Sequence, residues 1–337
     1  MCMYYTKGIN QNGYILCLDC NGMKNDHPIF KYLLDTTSQC DDIVLLTQEY
    51  IKIDLHQTIA CTDSCIAVLL QNNTIKYWGN NLYGQCDVPD SIQGKIVSID
   101  CGAFSSGALL NDNTVKCWGG NGYGQCDVPD SIQGKVISIS SGGYYSCALL
   151  NDNTIKCWGN NDWGQCNVPD SIQGKVISIS CGYGHCCALL NNNTVKCWGY
   201  NGVSQCNVPD SIQGNIVSIS SNKWHSCALL NDGIVKYWGN KYYSQSNVPD
   251  SIQGKVKSIQ CGEYHSIALL DNNTVKCWGD NSYGQCNVPD SVQGNNHNVN
   301  INNDNVVGKI VSIDCGLNYS VVVLDDNSIK CWGKNIY

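Results

Sequence analysis

Cysteine is the residue type with the most reactive chemistry in this chain, because its 337 residues include 24 of them. Many recur with one spacing, in which two cysteines lie nine residues apart on either side of a turn. Such pairs could face each other across a hairpin and form disulfides, which persist in oxidising compartments. The four candidate pairs are Cys117–Cys126, Cys157–Cys166, Cys197–Cys206 and Cys277–Cys286.

The same cysteines also fit a second interpretation, as small hydrophobic residues buried at tight contacts. The first residues show no basic region followed by an apolar block, so no export signal is apparent and a cytoplasmic location is expected. If the cysteines are bridged, the expected location is instead a cell exterior or a virion, because a reducing cytosol keeps thiols reduced. The sequence leaves both interpretations open.

Metal sites and catalytic constellations are not predicted. Cys17 and Cys20 form one CxxC pair, whereas zinc sites usually need a second pair. His185, His225 and His265 recur every forty residues, which fits structural hydrogen-bonding residues as well as a metal triad near an axis. Glutamate occurs only twice, and the aspartates recur in turns, where they cap backbone groups. We therefore expect no cofactor and no enzymatic activity.

The charge balance argues against two classes of partner. Lysine and arginine together number 20 against 28 acidic residues, which leaves a formal net charge of −8, and all the basic residues are lysine. Nucleic acids and anionic membrane surfaces are normally bound by clustered basic side chains. No run of eighteen apolar residues occurs, so membrane insertion is not expected either.

The candidate residues belong to a repeat of about forty residues. Each unit contains four short segments rich in Ile, Val, Cys, Leu and Trp, separated by clusters of Asn, Asp, Gly and Pro, which is typical of strands joined by turns. In the third unit these are KVISISSG (135–142), YSCALL (145–150), TIKCWG (154–159) and GQCNVP (164–169). The tryptophans that mark the units are Trp78, Trp118, Trp158, Trp198, Trp238, Trp278 and Trp332.

Seven units of four strands predict an all-β fold, a seven-bladed β-propeller. We assign residues 56–337 to the propeller, with a fourteen-residue insertion at 295–308. The last unit ends without a fourth segment, so we expect residues 1–55 to supply a closing strand, with Gly13–Leu18 and Ile43–Thr47 as candidates. A partial extra blade in residues 1–55 is the alternative.

The repeat resembles a known family. The pattern CG-x-x-H-S-x-ALL followed by N-T-V-K-C-WG-x-N-x-x-GQ is similar to repeats of the regulator of chromosome condensation family, and Gly164–Pro169 (GQCNVP) is similar to its bacterial-type members. The resemblance implies a seven-bladed propeller, often closed by an N-terminal strand. Family members include a nucleotide exchange factor for a small GTPase, protein inhibitors, light sensors and ubiquitin-ligase partners, and most present a loop surface to another macromolecule.

The loops of the repeat differ in how much they vary. Antiparallel strands place the first–second and third–fourth loops on one rim, which we call the variable rim, and the nearly constant NDNT and VPDSIQGK loops on the other. Variation combined with Tyr and Trp is typical of a protein-binding surface. The residues predicted to bind a partner are Trp224, Lys223, Tyr242, Tyr243, Tyr183 and Trp163. Packing of these aromatic rings between neighbouring blades is the alternative.

The function predicted from the sequence is therefore a non-enzymatic propeller that binds a protein partner through the variable rim, or assembles with copies of itself through the constant one. Two alternatives stay open: nucleotide exchange on a small GTPase, and carbohydrate binding by the aromatic rim. One fold hosts many activities, so the resemblance alone does not decide among them.

Overall fold

Three-stranded antiparallel sheets, seven in number, make up the part of the computed structural model that is described, residues 59–293 and 308–334 apart from 64, 71 and 327. The first strands are β1 (Ile59–Cys61), β4 (Ile96–Cys101), β7 (Val136–Ser141), β10 (Val176–Cys181), β13 (Ile216–Ser221), β16 (Val256–Cys261) and β19 (Ile310–Cys315). The second strands are β2 (Cys65–Leu69), β5 (Ser105–Leu110), β8 (Tyr145–Leu150), β11 (His185–Leu190), β14 (His225–Leu230), β17 (His265–Leu270) and β20 (Tyr319–Leu324). The third strands are β3 (Ile75–Gly79), β6 (Val115–Gly119), β9 (Ile155–Gly159), β12 (Val195–Gly199), β15 (Val235–Gly239), β18 (Val275–Gly279) and β21 (Ile329–Gly333). We number the sheets units 1 to 7 in chain order.

The hydrophobic core lies between neighbouring units. The second strand is the middle strand of its sheet and is buried along almost its whole length, because units pack against both of its faces. One cluster, for example, joins Leu109 and Val115 of unit 2 to Ala148 and Trp158 of unit 3. A single sheet of three short strands could not bury two apolar faces by itself, so the units stabilise one another.

The fourth segment of each unit departs from the prediction. The sequence predicted four strands, whereas the described residues form three, and the fourth segment is a series of turns. Five of these segments end in a short 3-10 helix, at Asp90–Ile92, Asp130–Ile132, Asp170–Ile172, Asp210–Ile212 and Asp250–Ile252. The following glutamine takes the place of strand pairing: Gln173 Oε1 accepts from the Ile155 N–H at 2.8 Å, and Gln173 Nε2 donates to the Ile155 carbonyl at 3.1 Å.

The marker tryptophans of units 2 to 7 each join their unit to the preceding one. The Trp118 indole N–H donates to the Gln85 carbonyl of unit 1 at 2.9 Å, and the same bond recurs at 2.8 to 3.0 Å for the tryptophans of units 3 to 7. The Ser106 hydroxyl also donates to the Gln85 carbonyl. The forty-residue spacing of tryptophan thus reflects a repeated bond between units.

Glycine after the tryptophan is required by the backbone. Gly159 has a φ of 102°, and a Cβ atom there would collide with the backbone of Tyr144 and Tyr145. Only glycine adopts this conformation without strain. The constant WG dipeptide therefore ends the third strand and starts the turn to the fourth segment.

The described units form a closed ring. Consecutive first strands contact one another, and β19 of unit 7 contacts β1 of unit 1. At that junction the Tyr319 hydroxyl donates to the Thr62 and Cys65 carbonyls at 2.9 and 2.8 Å, and the Cys61 N–H donates to Asp314 Oδ2 at 2.8 Å. The predicted closing strands, Gly13–Leu18 and Ile43–Thr47, lie outside the described residues. Within the described parts of the chain, no helix has the length and apolar character to cross a bilayer.

Candidate functional site

The two variable sets of loops meet on one rim. Tyr83 follows the third strand of unit 1 and contacts Phe104, which precedes the second strand of unit 2, with ring centroids 5.1 Å apart. Tyr123 and Tyr144 make the corresponding contact between units 2 and 3, at 4.8 Å. The alternation of antiparallel strands predicted this arrangement.

Eight aromatic rings form a continuous surface over units 1 to 5, which we call the aromatic arc. Its members are Tyr83, Phe104, Tyr123, Tyr144, Trp163, Tyr183, Tyr200 and Trp224. Tyr183 is its central residue, with centroids 5.5 Å from Tyr144, 6.4 Å from Trp163 and 6.4 Å from Trp224. Tilted and edge-to-face contacts at these distances are favourable and hold the rings in place.

The arc keeps much of its apolar area in solvent. Trp163 is 45% exposed, Tyr123 54% and Tyr83 55%, although each contacts a neighbouring ring. Large aromatic side chains held in place lose little conformational entropy on binding, which makes them effective interface anchors. Packing between blades, the alternative considered for these rings, accounts for the ring contacts but not for the exposed area of Trp163, Tyr123 and Tyr83.

Lys223 is bound within the protein. Its Nζ atom lies 3.1 Å from Glu263 Oε1 of unit 6, and 5.2 and 6.0 Å from the ring centroids of Tyr183 and Trp224. The Glu263 side chain is 1% exposed, so this ion pair compensates a buried carboxylate. Lys223 thus fixes the end of the aromatic arc to unit 6.

Tyr242 and Tyr243 belong to a separate group. Tyr243 packs on Tyr264 with a centroid distance of 4.4 Å, and Tyr242 on Tyr243 at 5.4 Å. Tyr242 is 85% exposed. The six residues predicted to bind a partner therefore divide into four at one end of the arc and two in this neighbouring group.

Sequence reasoning did not single out Tyr200 and Glu263 for this site. Tyr200 follows the WG of unit 4, at a position where the other units have Asn, Gly, Asp or Lys, and it contacts Trp163 and Trp224. That departure from the repeat was a usable signal. Glu263 is one of two glutamates in the chain, but the sequence carried no sign of its contact with Lys223.

Repeats of one family match most of these units. The model of the regulator of chromosome condensation (RCC1) repeat matches residues 96–125, 136–165, 176–205, 216–245, 256–285 and 310–337. The chain belongs to the regulator of chromosome condensation repeat family. No curated protein matches it.

Solved structures with the same fold come from diverse proteins. The ectodomain of the receptor kinase CR4 from Physcomitrella patens is 19% identical, with a TM-score of 0.63, over 83% of this chain and 73% of that one. The ACR4 ectodomain from Arabidopsis thaliana is also 19% identical, with a TM-score of 0.61, over 82% and 97%. Prp20p from Saccharomyces cerevisiae, studied for its binding to Gsp1p and histones, is 19% identical, with a TM-score of 0.59, over 82% of each chain. At this identity the similarity establishes the fold alone.

The cysteine pairs of this family member differ from those predicted. Cys157 and Cys197, predicted to pair with Cys166 and Cys206, are bonded instead to Cys147 and Cys187. Both bonds join register partners on the second and third strands, whereas the fourth segment does not pair with the third strand. The other members of the predicted pairs are thiols in the structure: Cys117, Cys126, Cys166, Cys206, Cys277 and Cys286.

The fourth-segment cysteines have a structural role. The Cys166 N–H donates to Asn161 Oδ1 at 2.8 Å, and Cys166 Sγ donates to the Asn160 carbonyl at 3.3 Å. Burial raises the pKa of Cys126 and Cys206 to about 11, so both thiols are protonated at neutral pH. These cysteines stabilise the turn after the third strand.

Two of the repeated histidines, His185 and His265, connect neighbouring repeats. His185 Nε2 lies 2.8 Å from Ser226 Oγ of the next unit, and His265 Nε2 lies 2.9 Å from Ser320 Oγ. Burial lowers the pKa of His185 to about 3 and that of His265 to about 4, so both rings are neutral. The interpretation of His185 and His265 as structural residues agrees with this geometry.

An axial cavity of about 480 Å³ is lined by the first strands and the loops that follow them. Asp100 and Asp314 lie on it, and burial raises the pKa of each carboxyl to about 7. Asp314 accepts from the Cys61 N–H and Asp100 from the Ser141 N–H. Both carboxyl groups thus join one unit to the next.

Proposed function

We propose that this protein is a non-enzymatic binding protein that captures a macromolecular partner, most directly a protein, on the aromatic arc. The observation that carries this proposal is the unbroken series of ring contacts from Tyr83 to Trp224, with exposed faces on Trp163 and two tyrosines. An aromatic surface supported from beneath and open on top suits a partner with an apolar or aromatic face.

The constant rim does not need a partner to account for its sequence. Ile172 is buried, Gln173 bonds both backbone groups of Ile155, and the Gly174 N–H donates to the Asn153 carbonyl. The VPDSIQG motif is thus explained within each unit. The exposed ring faces of the variable rim have no such explanation within the units.

The test is affinity capture from an extract of the source organism with the wild-type chain and matched variants. We expect Trp163→Ala to weaken capture at least tenfold, since truncating an aromatic anchor costs about 2 kcal/mol or more. Its melting temperature should change little, because Trp163 is 45% exposed. Ile177→Ala is the control, because Ile177 is 49% exposed but lies at the start of a first strand, on the constant rim.

Equal loss of the partner in both variants, or in neither, would contradict the placement on the arc. Nucleotide exchange is checked separately, by following release of labelled GDP from a panel of small GTPases. Accelerated release would replace the binding proposal by exchange activity. Binding to a glycan array that depends on Trp163 would instead favour a carbohydrate ligand.

A further inference from the structure

Two cysteines from different units meet at the junction of units 5 and 6. Cys227 lies in β14 and Cys261 at the end of β16, and their Sγ atoms are 3.1 Å apart. The two side chains are 0% and 4% exposed. Both are thiols in the structure.

The partner that Cys227 would have in its own sheet is missing. Cys147 and Cys187 hold the position of Cys227 in units 3 and 4, and each is bonded to the cysteine opposite it on the third strand. In unit 5 the residue opposite Cys227 is Tyr237. A cysteine that forms a disulfide with Cys227 must therefore come from another unit.

The neighbouring unit supplies that sulfur. The last residue of the first strand is Cys261 in unit 6. In unit 5 the equivalent residue is Ser221, so Cys187 of unit 4 has no cysteine at the equivalent position of the unit that follows. Cys181 holds this position next to Cys147, which is already bonded within its own sheet. The junction of units 5 and 6 thus combines an unpaired second-strand cysteine with a cysteine across the junction.

We propose that Cys227 and Cys261 are a redox site, at which hydrogen peroxide creates a further disulfide that links unit 5 to unit 6. The Cys261 thiolate attacks one peroxide oxygen, the O–O bond breaks, and hydroxide leaves from a sulfenic acid. The Cys227 sulfur then attacks the Cys261 sulfur, the S–O bond breaks, and the Cys227 proton leaves with the hydroxyl group as water. One thiolate and one thiol are oxidised to the disulfide, and with one proton from solvent one hydrogen peroxide molecule is reduced to two water molecules.

The surroundings of Cys261 suit the first step. Cys261 lines the axial cavity, which admits a small oxidant. Burial acts against the thiolate, but Cys227 and the adjacent His225 outweigh it and lower the pKa of Cys261 to about 5. Burial raises the pKa of Cys227, which makes it the resolving thiol.

Trypsin separates the two cysteines cleanly. Cleavage after lysine yields peptide 224–236, in which Cys227 is the sole cysteine, and peptide 258–276, in which Cys261 is the sole cysteine. The full chain is treated with hydrogen peroxide, unfolded in N-ethylmaleimide, digested without reductant and analysed by mass spectrometry. We expect the two peptides joined, with a mass two hydrogens below their sum, and both alkylated after dithiothreitol.

Variants separate the linkage from chance oxidation. Cys227→Ser should remove the joined peptide and leave Cys261 as a sulfenic or sulfinic acid. Tyr237→Cys recreates the arrangement of units 3 and 4, so Cys227 should bond to the introduced cysteine and peptide 258–276 should become unpaired. The peroxide-treated wild type should melt at a higher temperature than the untreated wild type, and Cys227→Ser should show no such difference.

Recovery of both wild-type peptides in the alkylated form after peroxide would overturn the proposal, as would linkage of either cysteine to another residue in preference to its partner. The wild-type peptide map decides the matter even if a variant fails to fold. It is also independent of partner capture, because it measures only the bond between the units.

Discussion

His185 illustrates how a single buried group couples this protein to pH. Its ring is 0% exposed, and Nε2 is paired with Ser226 Oγ across the junction of units 4 and 5. Burial, with a smaller contribution from His225, holds its pKa at about 3. The unfolded chain binds a proton there at about pH 6.5, so between these values the unfolded state holds more protons and native stability falls as the pH falls.

The difference in unfolding free energy between the wild type and His185→Gln should therefore become smaller as the pH falls. Between pH 7.5 and 4.5 the wild type should lose about 2 to 3 kcal/mol of unfolding free energy that the variant does not lose, at 1.36 kcal/mol per pH unit below 6.5. Denaturant unfolding of both proteins at the two pH values measures this. His265→Gln, at the equivalent position, should behave in the same way. A constant difference between wild type and variant would contradict a buried neutral ring.

Side-chain amides replace the predicted fourth strand. Gln173 satisfies the N–H and the carbonyl of Ile155, which stand at the outer edge of the third strand, as a neighbouring strand would. An open edge would invite pairing with other chains. The same glutamine clamp follows the third strand in units 2 to 5.

Gln173→Ala should lower the free energy of unfolding by about 1 to 3 kcal/mol, because the two backbone groups of the largely buried Ile155 lose their partners. Urea unfolding followed by circular dichroism measures the change. Ser171→Ala, an exposed substitution two residues earlier, is the control and should shift the midpoint little. Equal shifts in the two variants would show that the clamp adds nothing specific.

The limits of sequence reasoning are clearest in these elements. Period and composition predicted the repeated sheets and the shared rim, because short apolar segments and turn residues depend on local chemistry. The segment GQCNVP was wrongly predicted as a strand, since nothing in its composition shows that Gln173 fills the edge. The wrong prediction of the cysteine pairs followed from that error, because Cys157 lies opposite Cys147 on the preceding strand and not opposite Cys166 of the fourth segment. Contacts such as Lys223–Glu263 depend on how neighbouring units pack around the propeller, which the sequence does not show.

Unit 7 joins unit 1 through the same kind of contact that joins units 3 and 4. Tyr319 donates to two carbonyls of unit 1, and Tyr145 of unit 3 donates to the carbonyls of Gly182 and His185 in unit 4. Units 7 and 1 lie far apart in the sequence, whereas units 3 and 4 are consecutive. The non-covalent contacts between units 7 and 1 therefore contribute more to holding their units together than those between units 3 and 4 do.

Tyr319→Phe should open the ring more readily than Tyr145→Phe, although both remove the same two types of hydrogen bond. We expect amide hydrogen exchange to accelerate in both β1 and β19 for Tyr319→Phe, and to stay local to β8 and β10 for Tyr145→Phe. Mass spectrometry of peptides from the exchanged proteins distinguishes the two patterns. Local and equal exchange in the two variants would mean that the ring is no weaker where distant parts of the sequence meet.

The tryptophan–carbonyl bond also has a consequence for the gene. The indole N–H of every unit from 2 to 7 donates to a main-chain oxygen of the preceding unit. Because the acceptor is a main-chain atom, this bond does not depend on which copy of the repeat comes before it. Unequal crossing-over between near-identical copies would insert or delete forty codons and still leave each tryptophan–carbonyl bond in place. The number of units would then be set by how many close the propeller. Single units could also be exchanged for one another by protein engineering.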